Sequence, residues 1–167
     1  IIKTIGIIVI LLGVSSASVV QVEPGEVGVQ KLFGKVNNNI LESGLNVINP
    51  LVKVVMFDIR TENYTMSGVN DEGLKAGDDA IKVLTADGLE VVIDLTVLYK
   101  VIPGEAPRIL QEVGTDYRNV LVRPICRTSV RDNAVYYDAV SLYSTKRDEF
   151  QDKIFSTIEE NFKERGL

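Results

Sequence analysis

The sequence contains no histidine, no tryptophan and a single cysteine, Cys126. Without histidine, Ser-His-Asp and Cys-His catalysis, imidazole metal ligation and histidine-based pH switching are all excluded within the chain. One cysteine excludes an intrachain disulfide framework and a thiolate zinc cage. Basic residues are the scarcer charge, 18 against 23 acidic, for a net charge of -5. Nucleic acid is therefore not an expected partner, because such binding depends on phosphate neutralisation by clustered lysine and arginine. Phosphate cradles are missing too: Gly25-Glu26-Val27-Gly28 does not extend to a GxGxxG, and Gly34-Lys35 lacks the rest of a P-loop. No cofactor and no metal is implied, and nothing converges on an enzyme active site.

What is present is enough apolar material for one domain with a real core, plus a surplus. Hydrophobic residues make up 46% of the 167 and mean hydropathy is +0.14, which fits a globular protein carrying an extra apolar segment. Residues 5–20 hold no charge, and Lys3 sits just before them. Residues 4–22 approach the roughly 20 needed to cross a bilayer as a helix. Three readings are open. The stretch is a transmembrane anchor over residues 1–22, or a signal peptide cleaved after Ser15-Ser16-Ala17, or a buried strand pair. The anchor is the leading expectation, since a long uncharged run generally meets lipid. The folded domain is then expected over residues 23–167.

In that region strands come first. Pro24-Gly25 is a turn, residues 28–36 read as a strand closed by Gly34, and Asn37-Asn38-Asn39 reads as a polar loop. Gly44 opens a strand-like piece that ends at Asn49-Pro50, and residues 52–66 read as one long strand. Ile81, Val83, Leu89, Val91, Ile93, Leu95, Val97, Tyr99 and Val101 are all odd-numbered, with Asp87-Gly88 between the two sets. Such alternation around an Asp-Gly turn predicts an antiparallel hairpin with one buried face. After Pro103-Gly104 the period becomes helical. A short helix stops at Gly114, and a second is N-capped by Asp116 with a kink or new start at Pro124. A third carries Phe150, Ile154, Ile158 and Phe162, with a Thr145/Asp148 capping box, Glu149–Lys153 and Glu159–Lys163 pairs, and a stop at Gly166. The class is α+β: a twisted antiparallel sheet with helices in the C-terminal half.

Few charged groups suggest an interaction. The acidic residues Asp71, Glu72, Asp78 and Asp79 lack the spacing of a calcium loop and read as a solvated loop. Arg123, Arg127 and Arg131 fall at i, i+4 and i+8 as a basic stripe on one helix face. The stripe suits lipid phosphates or an acidic neighbouring subunit, or it pairs locally with residues such as Asp132. Cys126 reads as a small core residue.

The run VEPGEVGVQKLFGKV, followed by ESGLNVINPLVKVVMFDIRTENYTM, resembles the opening of the SPFH (band-seven) domain of stomatins, prohibitins and flotillins, and is most similar to prohibitin-like members. The likeness continues through DAIKVLTADGLEVVIDLTVLYKV into VRPICRTSVRD and LYSTKRDEF. It implies structural roles for Pro24, Gly25, Gly28, Gly34, Gly44, Pro50, Asp87, Gly88 and Arg131; beside it, the arginine stripe and the anchor's position make Lys31, Lys35, Arg123 and Arg127 the expected interaction surface. The resemblance also implies a single-pass membrane scaffold, in a prokaryotic inner membrane ahead of a mitochondrial one, that associates with itself through a downstream coiled coil and holds an ATP-dependent membrane protease. The competing expectation is an exported periplasmic or extracellular adaptor whose signal peptide is removed.

Overall fold

The structure is a computed structural model that describes residues 18–69 and 77–167. The expected anchor therefore lies almost wholly outside the described residues, as do Asp71 and Glu72 of the acidic loop. Among the described residues, no helix is long and apolar enough to cross a membrane. The described residues separate into two compact units, residues 18–60 with 101–115, and residues 61–69 and 77–100 with 116–167.

The first unit is built on two antiparallel sheets. Strand β1 (Val19–Val22) pairs with β4 (Gly44–Val47), and β2 (Glu26–Leu32) lies between β3 (Lys35–Leu41) and β5 (Lys53–Asp58). Strand β1 takes up four residues that the sequence reading counts with the apolar stretch. A turn of 3-10 helix at Pro103–Glu105 leads into helix α1 (Ala106–Glu112), which packs on β2 and β3. Val22, Val27, Val29, Phe57, Val101 and Ile109 form the core.

Two expectations fail here. Gly34 does not close a strand; it turns a hairpin. Phe33 and Gly34 have φ of 47° and 95°, the paired positive angles of the two-residue turn that best follows the twist of a hairpin. The chain therefore comes straight back as β3, and Asn37, Asn38 and Asn39 lie in that strand, not in a loop. They are tolerated because β3 is at an edge of its sheet and all three are exposed.

The expected long strand over residues 52–66 is likewise two strands, β5 and β6 (Glu62–Met66), in different sheets. The break is local chemistry. The Asp58 carboxylate accepts a hydrogen bond from the Arg60 amide at 2.8 Å and Ile59 donates its amide to the Gly25 carbonyl, so the chain turns before β6.

In the second unit, β6 pairs with β9 (Leu95–Tyr99), and β7 (Ile81–Leu84) pairs with β8 (Glu90–Ile93). The Asp87-Gly88 hairpin is as expected: Ile81 lies opposite Ile93 and Val83 opposite Val91. The alternation also holds through β9, with Tyr99 buried and Lys82, Glu90, Asp94, Thr96 and Lys100 exposed. Only the sheet is different. At Asp94, whose carboxylate accepts from the Gly68 amide at 3.0 Å, the run leaves β7 and pairs with β6. In place of one twisted sheet the chain forms several small antiparallel ones, within the α+β class.

Helix α2 (Arg123–Ala134) packs on β7 and on α4 (Arg147–Arg165), with a short α3 (Ala139–Tyr143) between them in sequence. Pro124 does mark a new start: it stands in the first turn of α2, where its missing N–H costs nothing, and a π-type turn at Arg118–Val122 precedes it. Asp116 is not a side-chain cap; its carbonyl accepts from Asn119 and Val120, and its carboxylate from the Asn119 side chain. The Thr145/Asp148 capping box does not form either, because α4 begins with Lys146 at its N-cap and no side-chain cap there. Glu149 accepts from the Tyr137 hydroxyl at 3.1 Å, whereas Lys163–Glu159 forms as expected at 2.7 Å. The end of α4 at Gly166 follows expectation: the Leu167 amide donates to Phe162 and the Gly166 amide to Lys163, the paired bonds of a left-handed helix stop.

Gly28 shows how tightly the first unit is built. A Cβ placed there would lie 2.8 Å from Val54 Cγ1 and 3.2 Å from Leu41 Cβ. Gly28→Ala is expected to destabilise the protein by about 1–3 kcal/mol through overpacking, measured as a lower urea midpoint with unchanged slope.

Candidate interaction surfaces and buried ion pairs

The charged residues singled out by sequence fall into two different situations. Arg123 and Arg127 are one turn apart on α2 and do share a face, but the face is turned inward. Arg123 Nη2 donates to Asp79 Oδ1 at 2.5 Å, and Arg127 Nη2 donates to Asp79 Oδ1 and to the Asp79 carbonyl, both at 2.6 Å. The Asp79 side chain is only 5% exposed, those of Arg123 and Arg127 27% and 17%. They form a structural clamp on Asp79, so of the two expectations it is local pairing that holds for them, with Asp79 as the partner and not Asp132. Arg131, the third member, is exposed on the next turn.

Burial alone would raise the Asp79 carboxyl, but hydrogen bonds and positive charge from Arg123 and Arg127 outweigh it and hold the group below the ordinary carboxylate range. Tyr64, beside this cluster, is pushed up by burial. Its hydroxyl and Arg127 Nε find no hydrogen-bond partner among the described residues. Asp78, next to Asp79, takes a different role: it is half exposed and pairs with Lys82 at 3.0 Å.

A second ion pair, missed by the sequence reading, joins β6 to the π-type turn. Arg118 donates to Glu62 through Nε at 2.9 Å and through Nη2, and the Tyr99 hydroxyl donates to Glu62 Oε2 at 2.8 Å. Burial, and then the Glu62 carboxylate, push the Tyr99 phenol well above its usual range. No sequence signal marks this pair: Glu62 lies within what reads as one long strand, and Arg118 is 56 residues away.

Cys126 is buried, and burial pushes its thiol up to about 12, which leaves almost no thiolate at neutral pH. Asp87 does more than turn the hairpin: it accepts from Thr85 Oγ1 at 2.5 Å and from the Ala139 amide at the start of α3 at 3.2 Å. Gly25, Gly44 and Gly88 have positive φ, and Pro50 occupies a turn closed by the Val52 amide donating to the Asn49 carbonyl at 2.9 Å. Among the described residues no group of three or more acidic or cysteine side chains is placed to hold a metal ion.

Lys31 and Lys35 are in the other situation. Both are exposed, both lie at the Phe33-Gly34 end of the first unit's sheet, and neither forms an ion pair among the described residues.

This arrangement, two small antiparallel sheets and an α1 cover followed by a hairpin, a π-type entry and packed helices, coincides with a sequence family described as SPFH domain / Band 7 family over residues 20–167. The chain belongs to that family. No curated protein matches it. The SPFH region begins one residue into β1, so nearly the whole described chain is this domain. At the level of the family, the role is membrane-associated and scaffold-like, and members are generally not enzymes.

The clamp should show in stability. Asp79→Asn leaves two arginines facing an uncharged amide, and a loss of about 3 kcal/mol is expected in chemical denaturation. Because the folded-state value of Asp79 is depressed, its contribution is present above the unfolded value near 4 and is lost as pH falls through the folded value. The wild type should therefore lose stability below about pH 4 more steeply than Asp79→Asn, as followed by thermal midpoints across an acid series.

Proposed function

We propose that this SPFH protein is a prohibitin-like scaffold anchored by its N-terminal apolar run, associating with further copies and holding an ATP-dependent membrane protease without turnover of its own. The observation that carries the reading is the junction. The uncharged run over residues 5–20 leads, with no linker, into β1 at Val19, and the Ile48 amide donates to the Ser18 carbonyl at 2.7 Å. A helix inserted in lipid just before that point holds the first sheet beside the bilayer. Family membership supports the membrane and the scaffold; the resemblance of the sequence motifs to prohibitin-like members supports the protease. The arginine and carboxylate groups that enzymes use for chemistry are here engaged with one another, as in Asp79 with Arg123 and Arg127, which suits a holding role. Self-association is assigned mainly to a downstream coiled coil of the parent protein.

Alkaline carbonate extraction of native membranes, followed by affinity recovery in mild detergent, tests both parts. The protein is expected in the membrane pellet with its apolar run intact, together with an ATP-dependent membrane protease. Soluble protein whose N-terminus lies near Ser18 would instead support the exported adaptor. Recovery without a protease would leave the membrane scaffold and remove the protease.

A further inference from the structure

The three-stranded sheet of the first unit is polarised along its strands. Its charged residues are Glu26, Lys31, Lys35, Lys53 and Asp58. The register puts Glu26 opposite Asp58 at one end and Lys31 opposite Lys53 at the other, with Lys35 paired to Leu32 on the same rim. The two ends are about 20 Å apart, the length of a seven-residue strand. The acidic end is internally compensated, for Arg60 lies 3.6 Å from Asp58 and donates to the Pro24 carbonyl. At the basic end none of the three lysines has a carboxylate within ion-pair distance among the described residues.

The same end is apolar at its tip. Phe33 is 87% exposed and Leu51 62%, with Leu32 also exposed. Leu51 precedes Lys53 by two residues and Phe33 follows Lys31 by two, so both project past the last paired rung. Phe33 also holds a positive φ, a position that bulky side chains seldom take. An aromatic ring displayed at an exposed hairpin turn, beside lysines that have no carboxylate within ion-pair distance, matches the chemistry of a lipid interface better than that of a protein groove. Aromatic rings settle at the headgroup level, and lysines extend to phosphates while their stems lie along apolar surface. The chain's course agrees: β1 runs antiparallel to β4, and β4 leads through the Asn49-Pro50 turn to Lys53, so the apolar run joins the domain at this end.

We propose that the basic end of this sheet is a docking surface for anionic lipid headgroups, with Lys31, Lys35 and Lys53 on the phosphates and Leu32, Phe33 and Leu51 in the interfacial layer. The proposal rests on the membrane reading above and adds which end of the sheet faces lipid and which headgroup charge it selects. Each lysine near an anionic surface contributes about a five-fold change in occupancy, so removing three lowers it by about a hundred-fold.

The absence of tryptophan supplies the probe. Phe33→Trp in the full chain, reconstituted into phosphatidylcholine vesicles with or without phosphatidylglycerol, places a unique fluorophore at the tip; Leu51→Trp is the second reporter should the turn not accept indole. Expected is co-flotation with both vesicle types, but blue-shifted emission and quenching by acyl-brominated lipid chiefly in the anionic vesicles. The quenching should fall away in Lys31→Gln/Lys35→Gln/Lys53→Gln and at about 1 M salt, where the screening length is about 3 Å. Co-flotation with unquenched emission from both reporters overturns the docking surface and leaves the membrane scaffold standing. Failure to float with either vesicle type overturns both. Equal quenching with and without phosphatidylglycerol, or quenching indifferent to the lysine substitutions, overturns the headgroup assignment.

Discussion

The carboxylate of Asp79 is the constraint on which the second unit turns. It stands just before β7, its amide donates to the Ser67 carbonyl just after β6, and its oxygens receive two guanidinium groups from successive turns of α2. A carboxylate this deeply buried is untenable alone, and two largely buried arginines would be costly without it. The clamp therefore ties the three segments to one another. It sets α2 against β7, with Cys126 and Val130 sealed in the core, and lets α4 lay its Phe150, Ile154, Ile158 and Phe162 row inward. Glu62 repeats the device on a smaller scale, gathering Arg118 and Tyr99.

How much of this was legible depended on whether the signal was local. The 80s–90s hairpin was readable because alternation and an Asp-Gly turn are both written in consecutive residues, and the less exposed set came out on the odd positions except at Leu89, which is exposed beside the turn. The new start at Pro124 and the stop at Gly166 were readable for the same reason, each being a property of one backbone unit. The α+β class and the family followed from such pieces taken in order.

What was not legible was partnership at a distance. Two arginines four apart on a helix look alike in sequence whether they face water or a buried carboxylate 44 and 48 residues earlier. Strand breaks at Arg60 and Asp94 were hidden because β-branched residues continue on both sides, and only the hydrogen bonds taken by Asp58 and by Asp94 itself reveal the turn. Asn37, Asn38 and Asn39 misled in the opposite sense: an edge strand can carry residues that a central strand would reject. Among the candidate surfaces, Lys31 and Lys35 stand exposed at the hairpin tip, but the exposed ring between them became meaningful only once the strand register had brought Lys53 alongside.

Cys126 carries a consequence for where such a domain can operate. It is the one thiol in the chain, it is sealed in the core, and it stays protonated at physiological pH. The fold therefore has no covalent stake in redox potential: glutathione cannot reduce a bridge that does not exist, and an oxidising compartment finds no accessible sulfur to cross-link. The domain's native state is therefore the same in reducing and oxidising surroundings, and its folding needs no oxidative folding machinery.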